Sequence, residues 1–245
     1  MRFQTFGSKN NKAVLLIHTL FTSADFFAPV TQLLAKDHFV IVPTLSGHYE
    51  NSTFVSTADE IRQIKEFLSE NNIGFVYSVA GFSLGGNIAY EFFCNNAAMI
   101  ENAVIDSAPL FNFSKFVKNH FLKNYTKCLK RIKSGKYDAA QELNKHFNGM
   151  GEYQKDIAPI VSQESLNSLV ESCYNTRVYK LSKAELKKVT FIYGSKDIAK
   201  LCNMRLKKYH IRKMKGYGHC GFYRQNPIEW MKQFILSDNK ICFSN

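Results

Sequence analysis

Gly81-Phe82-Ser83-Leu84-Gly85 matches the pattern G-x-S-x-G, and the residues on either side give the match its meaning. Upstream, residues 74 to 80 (Gly-Phe-Val-Tyr-Ser-Val-Ala) form an apolar run that predicts a buried strand. Downstream, Asn87-Ile88-Ala89-Tyr90-Glu91-Phe92-Phe93 predicts a helix packed on one face. The serine therefore falls in a strand-to-helix turn. A turn that sharp holds the serine backbone in a strained conformation, and strand and helix can close only if the residues two before and two after are small. Gly81 and Gly85 meet that demand, and Gly86 adds room.

Two partners for the serine follow along the chain. Val189-Thr190-Phe191-Ile192-Tyr193 reads as a strand closed by Gly194, with Asp197 in the loop after it. Lys208 to Met214 reads as a last strand, with His219 in the loop Gly216-Tyr217-Gly218-His219-Cys220-Gly221. Pro227 to Ile235 has the spacing of a terminal amphipathic helix. Ser83, Asp197 and His219 thus stand in the order serine, acid, histidine, each on a loop after a strand. Asp106, at the end of the strand Ala103-Val104-Ile105-Asp106, is a second carboxylate available as the acid. Asp197 is preferred because its strand immediately precedes the histidine's own.

With these residues in this order, the chain resembles the α/β-hydrolase superfamily over nearly its whole length, in particular serine esterase- and lipase-like members with a helical cap. The resemblance implies an α/β fold: a mostly parallel central sheet flanked by helices, carrying a catalytic triad of Ser83, Asp197 and His219. Ala13 to Leu20 looks like the family's strand and histidine-containing oxyanion loop, and Phe39 to His48 looks like the strand and loop that follow. Thr19 stands where the family usually has glycine. By residue-wise matching the oxyanion hole is formed by the backbone N–H groups of Leu84 and Leu20. Leu84 follows from its position directly after the nucleophile. Between Pro109 and Val189 the sequence reads as helices over 114–133, 137–147 and 163–173, which look like the family's cap. The expected division is 1–109 and 188–245 for the core and 110–187 for the cap.

The implied chemistry is acyl transfer to serine. A serine hydroxyl is a poor nucleophile at neutral pH, so His219 accepts its proton as Oγ attacks, Asp197 fixes the imidazole, and the two N–H groups hold the oxyanion. No metal or organic cofactor is required. The substrate expected is a small-molecule carboxylic ester or thioester. Acyl transfer or a lyase reaction on the same triad stays open as an alternative, as does a non-catalytic ligand-binding relative. Phe21, Phe26, Phe27, Phe111, Phe113 and Phe116 are candidates for lining an acyl pocket, with simple core residues as the alternative.

Composition fits one enzyme domain. The chain has 245 residues, 45% of them hydrophobic, with 5 prolines. No stretch approaches the roughly 18 apolar residues of a membrane span, and the first residues read as an alternating strand without a signal peptide's apolar core. Six cysteines, at 94, 128, 173, 202, 220 and 242, lack metal-site spacing and read as reduced thiols, which points to the cytoplasm. The net charge is +12. Lys115, Lys118, Lys123, Lys127, Lys130, Arg131, Lys133 and Lys136 crowd one segment, where a solvated face competes with steering of an anionic substrate. Recognised nucleic-acid modules are absent, so nucleic acid is not the expected partner; oligomeric state is open.

Overall fold

The computed structural model describes residues 1–236. Seven strands among them form one sheet: β1 (Arg2–Phe6), β2 (Lys12–Ile17), β3 (His38–Thr44), β4 (Val76–Phe82), β5 (Ile100–Asp106), β6 (Val189–Gly194) and β7 (His210–Met214). Their order across the sheet is β1-β3-β2-β4-β5-β6-β7. β1 runs antiparallel to β3, and the other pairs are parallel. The inner strands β2 to β6 read as largely apolar runs because both their faces are covered, whereas the edge strands β1 and β7 are polar and partly exposed. Val14 and Leu16 of β2, with Val40 and Val42 of β3, enter one core; Ala13, Leu15 and Ile17, with Phe39 and Ile41, enter the other.

The first core is covered by α1 (Ala28–Leu34) and by α9 (Gly221–Gln225) and α10 (Pro227–Met231) near the end of the described chain, which bring in Val30, Tyr223 and Trp230. The second is covered by α2 (Thr57–Glu70) and α3 (Leu84–Asn96), through Ile61, Ile64, Ile88 and Phe92. α2 starts where Ser56 accepts from the Asp59 N–H at 3.1 Å, a side-chain cap for an otherwise unpaired donor.

The chain winds outward from β2 in both directions, so the strand order reverses between β2 and β4. In an open parallel sheet the crevice at such a reversal, beyond the C-terminal ends of the strands, is where ligands bind. The residues that emerge there are His18 to Phe21 after β2 and Ser83 after β4.

Between β5 and β6 lie α4 (Lys115–Lys133), α5 (Ala139–Phe147), α6 (Gly151–Gln154), α7 (Gln163–Tyr174) and α8 (Lys183–Leu186). The long helices match those expected to within two residues at either end. The insertion is pinched at its base: the Phe113 N–H donates to Tyr174 O at 2.9 Å, and the Thr176 N–H donates to Phe111 O at 2.8 Å. It lies over the reversal point, with Gln154 Nε2 donating to Leu20 O at 2.9 Å, the Phe54 N–H donating to Ser165 Oγ at 3.1 Å, and Phe147 packed edge-on to Phe21.

The strand expected at 74–80 is shifted: β4 continues to Phe82 and runs directly into Ser83, and the following helix begins at once, at Leu84. The turn is closed by backbone contact. A Cβ on Gly85 would sit 2.3 Å from the carbonyl oxygens of Ile17 and His18, and one on Gly81 would sit 2.1 Å from Gly85 O. Gly85→Ala should therefore cost about 2–3 kcal/mol of stability, whereas Gly74→Ala, with nothing within 4 Å of its added Cβ, should unfold like the wild type. Equal urea midpoints for the two variants would contradict this packing.

Candidate active site

Ser83 has φ 53° and ψ −115° and caps the first turn of α3. A non-glycine residue is held there only when its surroundings over-determine it, and such strain concentrates at functional sites. The helix N-terminus adds positive potential at the position of the Leu84 N–H. Ser83 is only 7% exposed, so its side chain is almost wholly shielded from solvent.

Asp197 and His219 are brought together as the sequence predicts. His219 Nδ1 lies 3.1 and 3.2 Å from the two carboxylate oxygens of Asp197. Asp197 also caps a 3₁₀ helix, accepting from the Ala199 N–H at 2.9 Å. Among the described residues no hydrogen bond joins Ser83 Oγ to His219; in unliganded sites such bonds commonly tighten only with substrate. The link between them runs through the end of β5. The Ser83 N–H donates to Asp106 O at 2.9 Å, and the next residue, Ser107, accepts from the Cys220 N–H at 2.8 Å through its Oγ.

Ser107 was not singled out by the sequence. It has φ +54°, its N–H donates to Ile192 O at 2.8 Å, and its hydroxyl donates to Asp106 Oδ1 at 2.9 Å. It therefore ties β5 to β6 and to the histidine loop. Its only sequence signal is its place after a strand that ends level with the serine. Among the described residues Asp106 makes no hydrogen bond to His219. Its second oxygen accepts from Trp230 Nε1 at 2.9 Å, which anchors α10.

These contacts set the charges. Burial pushes Asp106 up to about 7, against the pull of its Ser107 and Trp230 hydrogen bonds. Burial also opposes ionisation of Asp197, but His219, the Ala199 N–H and Ser107 outweigh it and hold the carboxyl below its ordinary value. For His219, burial alone would lower the pKa; the Asp197 carboxylate at 3.1 Å overcomes it and raises the imidazole above 6.5. Because burial raises the Cys220 thiol as well, Asp197 is the standing negative charge at neutral pH.

The loop after β2 is fixed by a neutral histidine. His18 Nδ1 lies 2.8 Å from Thr19 O, Nε2 accepts from the Leu45 N–H at 2.9 Å, and burial lowers the ring's pKa well below 6.5. Thr19 is accommodated because the left-handed residue of this loop is Phe21, at φ 61°. The Leu20 carbonyl is held by Gln154, another residue the sequence did not single out.

The six phenylalanines do not form one pocket wall. Phe26 and Phe27 pack with Phe82 and Tyr223 in the core under α1, Phe111 and Phe113 stack with each other at 4.6 Å, and Phe116 is 83% exposed. Only Phe21, beside Leu20 and under Phe147, lies next to the site. An open groove of about 620 Å³ runs along the outer face of α4, lined by Lys123, Lys127, Lys130, Arg131 and Lys136. The five described cysteines are free, and Cys242 lies outside the described residues. Among the described residues no cluster of three His, Cys, Asp or Glu is arranged to hold a metal, and no helix is long and apolar enough to cross a membrane.

Residues 12–133 match the profile of the alpha/beta hydrolase fold family. The chain belongs to the α/β-hydrolase superfamily. Its fold is similar to that of an α/β hydrolase family protein from Desulfitobacterium hafniense, with a TM-score of 0.74 at 17% identity over 95% of this chain and 98% of the other. A Bacillus subtilis carboxylesterase gives a TM-score of 0.66 at 18% identity, over 96% and 86% of the two chains. The human "Serine hydrolase-like protein" is 29% identical over 119 residues, which is 44% of this chain and 55% of that protein. The matched region thus spans about half the length of that relative.

An NMR titration of the His219 ring should find its midpoint above 6.5, because the Asp197 carboxylate favours the imidazolium. Asp197→Asn removes that charge and should move the midpoint down; Asp106→Asn should move it less. The reverse ranking would mean that Asp106 is the carboxylate coupled to the histidine.

Proposed function

We propose that the protein is a serine hydrolase that cleaves a carboxylic ester or thioester through an acyl-enzyme on Ser83. The observation that carries this reading is the strained Ser83 turn at the sheet's reversal point, linked through Asp106 and Ser107 to the loop of a histidine paired with a buried carboxylate. In the deprotonated form, His219 Nε2 takes the Ser83 proton as Oγ attacks the acyl carbon, and Asp197 stabilises the imidazolium that results. The oxyanion forms at the N-terminus of α3, where the Leu84 N–H receives it together with the Leu20 N–H. The imidazolium then returns its proton to the leaving alkoxide or thiolate. Water, activated by the same ring, releases the acid.

Residues 110–187 act as a cap. They cover Ser83, exclude water and limit the acyl group, with Phe21 and Phe147 beside the Leu20 loop. The free thiols fit a reducing compartment, and we place the protein in the cytoplasm. The cationic groove on α4 steers anionic substrates toward the cap. Lys123, Lys127 and Lys130 are exposed and have no carboxylate partner among the described residues, whereas Lys118 is paired with Glu171.

Hydrolysis of p-nitrophenyl esters of graded length tests the reading. Ser83→Ala should abolish turnover to within roughly 10³ of the uncatalysed rate, and Asp197→Asn should lower kcat on the order of 10⁴-fold. Full activity in Ser83→Ala would refute it. For the groove, Lys123→Gln, Lys127→Gln and Lys130→Gln together should raise KM for a carboxylated ester, spare a neutral ester of equal length, and flatten the salt dependence that a Debye length of about 8 Å imposes. Identical kinetics for both esters in both proteins would remove the steering role.

A further inference from the structure

The 3₁₀ helix Ile198–Arg205 is eight residues long, well beyond the usual one turn. With three residues per turn, side chains at i and i+3 eclipse, so its faces can be read directly from the sequence. Ala199 and Cys202 form the buried face. Arg205, next in that row, donates to the carbonyls of Leu110 and Thr176 at the base of the insertion. The neighbouring row is Ile198, Leu201 and Met204, exposed to 75%, 53% and 75%. Three large apolar side chains therefore stand in line in water on an element pinned at both ends, by Asp197 at its start and Arg205 at its finish. Isolated exposed apolar residues need no explanation, but a contiguous ridge marks a contact surface.

The charge around the ridge selects its partner. From 198 to 218 the chain has no Asp or Glu and seven cations: Lys200, Arg205, Lys207, Lys208, Arg212, Lys213 and Lys215. Lys196, Lys207 and Lys208 are exposed and have no ion pair among the described residues. Lysines on the edge strand β7 also discourage strand pairing, but Lys196, Lys207 and Lys208 lie outside it. A second copy of this chain, at net charge +12, would be repelled. Apolar side chains set among unpaired lysines match a surface that is apolar beneath and anionic on top.

We propose that the Ile198–Leu201–Met204 ridge docks the protein peripherally onto an anionic phospholipid surface. The apolar row enters the headgroup boundary and the flanking lysines engage lipid phosphates. The inference needs no chemistry at Ser83. Its location places the bound surface beside the loop of Asp197, at the C-terminal edge of the sheet.

Cosedimentation of the full chain with vesicles of phosphatidylglycerol or phosphatidylcholine tests this. Wild type should partition onto phosphatidylglycerol at least about tenfold more strongly, and added salt should weaken the binding. I198S/L201S/M204S should lose about tenfold or more, and K207Q/K208Q a comparable amount, with circular dichroism and melting unchanged because these side chains are exposed. M204S alone serves as a milder variant and should show a smaller loss in the same direction. The proposal is overturned if wild type does not bind phosphatidylglycerol vesicles, or if folded serine variants bind them unchanged. It is also overturned if binding depends on Lys123, Lys127 and Lys130 alone, or if ultracentrifugation finds a self-associated protein that the triple serine variant dissociates.

Discussion

Everything at this site depends on how closely α3 can approach β2. The first turn of the helix rests on the carbonyls of Ile17 and His18, and the position of Gly85 leaves no space for a side chain. Because the helix sits that low, β4 ends in a single residue of unfavourable backbone conformation, and that residue is Ser83. The same approach sets the first turn of α3 against the loop that leaves β2 at the reversal of strand order, so one packing constraint both strains the serine and brings these two segments together. Strain of this kind costs on the order of 1–3 kcal/mol and persists because packing on both faces of the sheet over-determines it.

The second organising element is a pair of buried carboxyls with opposite fates. Asp106 ends β5 and Asp197 lies in the loop just beyond its parallel neighbour β6, and two buried negative charges so placed disfavour each other. The structure separates them by their partners. Asp197 has a histidine and a backbone N–H and stays ionised, while Asp106, bonded to a hydroxyl and an indole, is pushed up to about 7. Ser107 stands between them and carries the histidine loop on its oxygen. Two titratable groups pushed apart by their surroundings thereby acquire different tasks: one polarises the imidazole, the other fastens α10 to the sheet.

The fold and the three candidate reactive residues were legible because their signals are local. Glycine spacing around Ser83, β-branched runs before Asp197, and a polar loop after the last strand all lie within a few residues of what they report. The supporting groups were not legible. Ser107 and Phe21 adopt left-handed backbone without being glycine, which a sequence does not advertise. Gln154 reaches Leu20 across 134 positions and Trp230 reaches Asp106 across 124. The sequence left the phenylalanines open between pocket and core because aromatic type carries no information about which face of the sheet a residue enters; Phe26 and Phe27 went to the core under α1 and Phe116 to solvent.

The central claim is that Ser83 is the nucleophile, and covalent labelling addresses it most directly. After incubation with an alkyl fluorophosphonate, peptide mass spectrometry should find one adduct, on Ser83, and labelling should slow sharply in Asp197→Asn. An adduct on Cys220 or Ser195, or steady ester turnover by a protein that the phosphonate never modifies, would contradict the account.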